Sequence, residues 1–222
     1  MWPHPQEIVW TVVVAGGSGA RFGSAKQYAD IGGRRMVDVS VAVARSASDG
    51  VVVVVPVCDV SDEAARCADA AVRVVAGGPS RSASVRCGLA AVPEAATVIC
   101  IHDAARPFAT EELFGAVVRA VVAGADGAVP AVPVTDTIKV VDGDRQVVST
   151  PDRSTLVAVQ TPQAFRAGVL RAAHARGGDG TDDAALVEHA GGRVVVVAGS
   201  LDNRKVTHPD DLVWARERAA AR

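Results

Sequence analysis

The stretch from Val12 to Tyr28 reads VVVAGGSGARFGSAKQY, a β-branched apolar run followed by small residues, glycines and two cations. The run predicts a buried strand, and the glycines after it leave backbone N–H groups able to approach an anion closely. Glycines alone would favour an ordinary strand-to-helix turn. Arg21 and Lys26, at the far end of the loop, favour a phosphate clamp instead.

Two common phosphate-binding patterns do not fit this loop. The dinucleotide fingerprint G-x-G-x-x-G needs a third glycine where this chain has Phe22. No acidic residue closes a second strand about 20 positions further on, where a ribose hydroxyl would require one. The pattern G-x-x-x-x-G-K-[ST] also fails, because no lysine follows a correctly spaced glycine. The loop is therefore of a third kind, and a dehydrogenase is disfavoured.

Composition indicates one globular domain over residues 1–222, because 49% apolar content is ample for a core. A net charge of −2 gives no general attraction to nucleic acid or to an anionic membrane. The four cysteines lack C-x-x-C spacing, which is typical of reduced core residues. No signal peptide is evident, and the longest apolar run, 51–58, is too short to span a bilayer. We therefore expect a cytoplasmic protein.

Strand-like and helix-like segments alternate along the chain. The predicted strands are 8–14, 51–57, 72–75, 97–101, 128–134 and 194–198, and the first, second and last are continuous enough to be buried on both faces. The predicted helices are 36–47, 61–70, 80–92, 110–123, 166–176, 182–190 and 209–221. This alternation predicts an α/β three-layer sandwich with a mostly parallel, Rossmann-like sheet.

Polar residues collect after four of the predicted strands, where such sheets bind their ligands. The segments are 76–84, 102–107, 135–139 and 202–207. Two of them contain Lys139 and Lys205, which with Lys26 are the only lysines of a chain that has 20 arginines. A lysine in an arginine-rich chain suggests that a compact ammonium is needed there.

Residues 135–165 interrupt the alternation. Short β-like pieces at 138–141, 147–149 and 157–159 surround the predicted hairpin turn Asp142-Gly143-Asp144. We interpret the segment as a protruding β-arm. An arm with little core of its own needs cover, which packing on another subunit would supply. A loop folded against its own domain is equally compatible with these residues.

Nine motifs, in order, resemble those of the 2-C-methyl-D-erythritol 4-phosphate cytidylyltransferases of the non-mevalonate isoprenoid pathway. They are AGGSGARFG, KQY, AGGPSR, HDAARP, VPVTDTIK, TPDR, AVQTPQAF, TDDAALVE and KVTHPDDL. The ribitol 5-phosphate cytidylyltransferases share the loop, KQ and TPQ, and Gly16 is closer to that branch. HDAARP and TDDAALVE are closer to the methylerythritol branch. The chain departs from both at Ala25, where proline is usual, and at Arg204, an extra cation that we expect to influence acceptor choice.

The resemblance implies transfer of CMP from CTP to a polyol phosphate, without a covalent nucleophile. It implies that Arg21 and Lys26 act on the triphosphate, and Arg153 and Lys205 on the acceptor phosphate. Implied nucleotide-binding residues are Ala15, Gly16, Gly17, Ser18, Gly19, Gly78, Arg81, Ser84, Asp103 and Ala104. Implied acceptor-binding residues are Asp103, Arg106, Thr137 and Thr181. It further implies Mg²⁺ bound mainly through the CTP phosphates, and a homodimer formed through the 135–165 arm.

Several of these residues have an alternative structural reading. Asp103 and Thr181 are each compatible with a helix N-cap. Arg106 is expected to orient either Asp103 or the acceptor, and Lys139 to brace the arm. A catalytically inactive nucleotide-binding protein is the alternative of a different class. It would be expected to have lost the cations that this chain retains.

Overall fold

The computed structural model describes residues 7–17, 25–67 and 69–221. Its strands are β1 (Val9–Val14), β2 (Gly50–Val55), β3 (Val72–Ala76), β4 (Val98–Asp103), β5 (Gly127–Pro133), β6 (Val140–Val141), β7 (Val147–Ser149), β8 (Val157–Val159), β9 (Gln163–Arg166) and β10 (Val194–Ala198). Its α-helices are α1 (Met36–Ser46), α2 (Val60–Arg66), α3 (Arg81–Ala91), α4 (Glu111–Val122), α5 (Ala167–Ala175), α6 (Asp183–His189) and α7 (Pro209–Ala220). Each predicted helix and each predicted main strand is present; β10 has the predicted bounds, and the others have one or both ends shifted.

An eight-stranded sheet forms the middle layer, in the order β10-β5-β9-β4-β1-β2-β3 with β8 paired to β5. The contacts of β1 with β2 and β4, of β2 with β3, and of β5 with β10 are parallel. The contacts of β9 with β4 and β5, and of β8 with β5, are antiparallel. The mostly parallel sheet predicted from the sequence is confirmed.

Side chains of the central strands alternate between two hydrophobic layers, as the period of a strand requires. On β1, Val9 and Val13 pack in the cluster that contains residues of α1 and α4. Trp10 and Val12 pack in the opposite cluster, with residues of α3, α5 and α6. Helices therefore cover both faces, which gives the three-layer sandwich.

The prediction that the last strand is buried on both faces was wrong. β1 and β2 are almost wholly buried, whereas β10 lies at the edge of the sheet and its residues are partly or fully exposed. The most buried strands also include β4, all six residues of which are buried. An apolar run alone does not reveal whether a strand has a neighbour on each side.

The arm is shorter than the predicted segment 135–165. β8 and β9 pair with the main sheet, so the arm proper is residues 135–156. It contains the separate β6–β7 hairpin, whose turn is closed by the Asp142 carboxylate accepting from the N–H groups of Asp144 and Gln146. We refer to residues 135–156 as the arm below. The strand β9 was missed because its four residues do not show an alternating pattern.

A third, smaller hydrophobic cluster attaches α7 to the carboxyl end of the sheet. It joins Ala215 of α7 to Met36, Phe108 and Val206. The helix fixes the chain segment 203–207 that precedes it. Among the described helices, none combines the length and apolar character that crossing a bilayer requires.

Candidate active site

A cavity of about 480 Å³ opens at the carboxyl ends of β1 and β4, where the sequence predicted the ligand site. Its lining includes all of the predicted nucleotide-binding residues within the described part of the chain. They are Ala15, Gly16, Gly17, Gly78, Arg81, Ser84, Asp103 and Ala104, together with the predicted catalytic residues Lys26 and Lys205. Ser18, Gly19 and Arg21 lie outside the described residues.

Two small-residue turns form one wall of this cavity. Ser80 caps α3 by accepting from the Ala83 N–H, and the Ser84 hydroxyl accepts from the Gly78 N–H at 3.1 Å. A Cβ atom on Gly78 would lie 2.6 Å from the Cβ of Ala83, so a glycine is required at this close approach. The second glycine turn is therefore held rigidly against α3.

Lys26 begins a short 3₁₀ turn, Lys26–Tyr28, at the rim of the cavity. Its ammonium donates to the Val206 carbonyl oxygen at 2.8 Å, across 180 positions of sequence. The turn is anchored on its other side by Tyr28, whose hydroxyl donates to Asp59 at 2.8 Å. Lys26 is thus presented from a fixed turn, although Ala25 replaces the proline usual in the resembling families.

Asp103, the last residue of β4, is the centre of the charged network. One carboxylate oxygen accepts from Lys205 at 2.6 Å, and the other accepts from the guanidinium of Arg81 at 3.2 Å. Burial raises the pKa of Asp103, but the two cations outweigh burial and hold it well below its usual range. Asp103 ends a strand and caps no described helix, so the N-cap reading is wrong.

A second cavity, of about 230 Å³, adjoins the first. The two cavities share Arg81, Asp103 and Lys205. The remaining lining of the second cavity is Arg106, Val159, Gln160, Thr161, Gln163, Thr181 and Asp182. Two of the predicted acceptor-binding residues, Arg106 and Thr181, therefore lie beside the predicted phosphate ligand Lys205.

Arg106 is held by backbone carbonyls rather than by Asp103. Its guanidinium donates to the carbonyl oxygens of Asn203 at 2.8 Å and of Val159 at 3.3 Å. Burial lowers its pKa, which nearby Asp103 partly opposes. Of the two expected roles, this geometry favours orientation of an acceptor. At the neighbouring position, Asp182 and not Thr181 caps α6, which leaves Thr181 at the cavity wall.

The segment 203–206 ties the site to α7. Buried Asn203 donates to the side chain of Gln160 and to the Thr161 carbonyl oxygen. Arg204 turns away from both cavities, forms an ion pair with Asp211 and lies over the ring of Trp214. The expectation that Arg204 influences acceptor choice has no support in this arrangement.

Arg153 and Thr137, both on the arm, line neither cavity of the single chain. The Arg153 side chain is exposed and donates to the Thr135 carbonyl oxygen at 2.9 Å. Lys139 donates to the Thr150 hydroxyl within the arm, in agreement with a bracing role. One chain thus brings together Lys26 and Lys205 but not Arg153.

Sequence reasoning missed a layer of buried polar residues behind the site. The Asp183 carboxylate accepts from the Arg81 guanidinium, and His174 contacts Asp183. The Thr161 hydroxyl accepts from the Asp103 N–H. The motifs TDDAALVE and AVQTPQAF contain two of them, but only Thr181 was taken from these motifs as functional. Polar residues inside segments that are otherwise apolar were the available signal.

Known proteins resemble this chain over nearly its whole length. A family model for 2-C-methyl-D-erythritol 4-phosphate cytidylyltransferase (IspD) matches residues 9–218. A protein of that name from Rubrobacter xylanophilus is 46% identical, with 95% of this chain and 94% of the relative covered. A bifunctional enzyme IspD/IspF from Solidesulfovibrio magneticus is 44% identical over 96% of this chain. The chain spans 57% of that bifunctional relative's length.

Solved structures of proteins with related names have a similar fold. The 4-diphosphocytidyl-2C-methyl-D-erythritol synthase from Anaerococcus prevotii superposes with a TM-score of 0.84 at 28% identity, covering 97% of this chain and 99% of that one. The 2-C-methyl-D-erythritol 4-phosphate cytidylyltransferase from Thermus thermophilus gives 0.79 at 32% identity, covering 96% and 99%. On the match of the family model and the identity to full-length relatives, this chain belongs to the 2-C-methyl-D-erythritol 4-phosphate cytidylyltransferase family.

Proposed function

We propose that this chain transfers CMP from CTP to 2-C-methyl-D-erythritol 4-phosphate, giving 4-diphosphocytidyl-2-C-methyl-D-erythritol and pyrophosphate. The observation that carries the proposal is the pair of adjoining cavities that share Arg81, Asp103 and Lys205. A reaction between two anionic substrates needs two neighbouring sites with cations between them. Family membership supports the same activity.

The larger cavity suits the nucleotide. Backbone groups at 15–17 and the turn at Gly78 line it, and small residues allow close approach of a base and ribose. Lys26 lies at its rim, where a triphosphate would extend. Arg21, Ser18 and Gly19, outside the described residues, are proposed to complete the phosphate loop.

The smaller cavity suits the polyol phosphate. Lys205 and Arg106 supply positive charge, whereas Thr181 and Asp103 supply oxygen atoms for hydroxyl groups. Arg153 and Thr137 are proposed to reach the acceptor from a partner subunit, because neither is among the described residues that line these two cavities. An acceptor held in line with the nucleotide gains most from such positioning.

In the proposed reaction a phosphate oxygen of the acceptor attacks the α-phosphorus of CTP. The new oxygen–phosphorus bond forms as the bond to the bridging oxygen breaks, and pyrophosphate leaves with that oxygen and its electron pair. Negative charge accumulates around phosphorus, so fixed cations stabilise the transition state more than the separate substrates. Arg21 and Lys26 are proposed for this role.

Mg²⁺ is proposed to accompany CTP. The described residues contain no group of three His, Cys, Asp or Glu side chains suited to a metal ion. In the larger cavity Asp103 is the lining carboxylate, and both its oxygens already accept from cations. Such a donor set fits an ion carried mainly on the phosphates, with few protein ligands. When bound, the ion would neutralise phosphate charge.

We further propose a cytoplasmic homodimer formed through the arm. From 135 to 159 the residues are exposed, apart from Pro151 and Leu156, which are half-buried. Exposed apolar residues of the arm are Ile138, Val140, Val141, Val147 and Val148. Contiguous exposed apolar surface of this kind is typical of a protein interface.

The test is pyrophosphate release by the purified chain with Mg²⁺ and a panel of substrates. We expect turnover with CTP and 2-C-methyl-D-erythritol 4-phosphate, and little with ATP, GTP or UTP. Ribitol 5-phosphate in place of the methylerythritol substrate tests the alternative acceptor. Preference for ribitol 5-phosphate would overturn the assigned acceptor, and CTP binding without turnover would support an inactive nucleotide-binding protein.

A further inference from the structure

We propose that Asp183 is a positioning residue of this site, which fixes Arg81 and through it the carboxylate of Asp103. The inference rests on the proposed function and adds to it a residue that lines neither cavity. Asp183 lies at the start of α6 and is completely buried. Because it lines neither cavity, Asp183 would not contact a substrate bound in either of them.

Arg81 bridges two carboxylates. One terminal nitrogen donates to Asp183 at 2.8 Å, and the other donates to Asp103 at 3.2 Å. The guanidinium is planar and its N–H donors have a fixed geometry. A hydrogen bond from one terminal nitrogen therefore determines where the other nitrogen points. Asp183 therefore sets where Arg81 points within the wall shared by the two cavities.

The far side of Asp183 is committed to His174. The second carboxylate oxygen of Asp183 lies 3.1 Å from the Nε2 atom of His174, which is also buried. A carboxylate only accepts, so Nε2 carries the proton and donates. The Nδ1 atom of His174 has no hydrogen-bond partner among the described residues. Among the described residues, the only hydrogen-bond partner of the ring is therefore Asp183. An apolar side chain of similar size would fill the same space without leaving a buried nitrogen unpaired, so the histidine is explained by its bond to Asp183.

A series of hydrogen bonds thus extends from α5 to the proposed substrate site through His174, Asp183, Arg81, Asp103 and Lys205. Without the Asp183 charge, Arg81 would be drawn entirely to Asp103. It would then compete with Lys205 for that carboxylate and turn it away from the geometry that two bound substrates require. Misplacement of about 1 Å at such a site costs about 100-fold in rate.

The experiment is a double-mutant cycle on kcat, with Asp183→Asn and Arg81→Met made singly and together. Asn keeps the size of Asp183 and one acceptor oxygen but removes its charge. We expect Asp183→Asn to lower kcat about 10- to 100-fold, and to have little further effect when Arg81 is already Met. Additive losses in the double variant, or a wild-type kcat for Asp183→Asn, would overturn the proposal.

A second pair of variants keeps the test valid if Asp183→Asn does not fold. His174→Leu removes the donor to Asp183, whereas His174→Gln can replace it with an amide N–H. We expect several-fold loss of kcat in the first and recovery in the second. Equal kcat in the two variants would contradict a role for the hydrogen bond between His174 and Asp183 in positioning Arg81.

Val187→Ala is the matched structural control. Val187 is fully buried on the same helix, within a hydrophobic cluster. Its truncation should lower the melting temperature while leaving kcat unchanged, which separates positioning from loss of stability. Wild-type protein is assayed first: absence of cytidylyl transfer refutes the proposed function, whereas an active wild type with an additive cycle refutes only the role of Asp183.

Discussion

Two regions of this molecule hold proposed catalytic cations in different ways. At the ends of the central strands, Lys205 is bound to Asp103, itself fixed by Arg81 and buried in the fold. On the arm, Arg153 is exposed and bound to one backbone carbonyl oxygen. The first region is complete within one chain, whereas the second lacks a hydrophobic core of its own.

The difference means that Arg153, as a proposed site residue, is not positioned by packing within its own chain. Asp103 and its partners are oriented by packing on both sides of the sheet. The arm residues have no such packing, so their orientation must come from whatever the arm contacts. A partner subunit would provide that contact.

The largest effect is expected at Lys26. Lys26→Ala removes a proposed donor to the developing phosphate charge, which should lower kcat about 100- to 1000-fold while the circular dichroism spectrum is unchanged. Arg45→Ala is the matched control, because Arg45 is paired with Asp69 near the opposite end of the strands. A Lys26→Ala enzyme that turns over at the wild-type rate would refute the clamp.

Arg153 should show the next largest effect, about 100-fold in kcat/KM for the acceptor, with CTP affinity unchanged. Mixing the inactive Arg153→Ala and Lys26→Ala chains sharpens the comparison. If Arg153 serves the partner's site, each mixed dimer contains one intact site, and random pairing should restore about a quarter of the wild-type rate. No restoration after subunit exchange would place Arg153 in its own chain's site, whereas a wild-type rate for Arg153→Ala alone would place it outside catalysis.

A smaller effect is expected on assembly. Val147→Asp puts a charge on the proposed arm interface and should raise the dimer dissociation constant about tenfold or more. Sedimentation velocity measures it. Val213→Asp, at an equally exposed position on α7, should leave the dimer intact. Dimers unaffected by the change at Val147 would mean that the arm does not form the interface.

The pH dependence of folding stability tests the buried region alone, through His102. Burial lowers the pKa of His102 to about 4, from 6.5, so the unfolded chain binds a proton that the folded chain does not. Stability should therefore fall as pH drops from 6.5 to 4, by up to about 1.4 kcal/mol per pH unit. His102→Asn keeps an acceptor for Thr161 and should flatten this slope in urea unfolding. An unchanged slope would assign it to other groups.

Much of the fold was predictable because alternation of apolar runs and amphipathic segments is a local property. The carboxyl end of β1 and the glycine turn at Gly78 follow from it directly, whereas β4 extends to Asp103, two residues beyond its predicted end at 101. β9 was not predictable in this way, because Gln163–Arg166 is short and its pairing with β4 and β5 depends on chain segments far away in sequence. The exposure of β10 at the sheet edge likewise depends on neighbours.

For the site, the sequence predicted residues with charge at strand ends, and the structure brings Lys26, Asp103 and Lys205 to one cavity. It did not predict Asp183, whose proposed role depends on a contact with Arg81 at a distance of 102 positions. It did not predict His174 either, which contacts Asp183 and not Arg81. Arg204 illustrates the converse. An added cation next to Lys205 looked functional, but its neighbours Asp211 and Trp214 bind it elsewhere.

The hydrogen bond from Lys26 to the Val206 carbonyl oxygen joins chain positions 180 residues apart. During synthesis the strands β1 to β9 emerge from the ribosome well before the residues around Val206. A nascent chain can therefore assemble most of its scaffold while still lacking an ordered reaction centre. Loss of the residues that follow β10 would leave every strand of the sheet in the chain but remove the carbonyl oxygen that binds Lys26, so we expect such a truncated protein to lack activity.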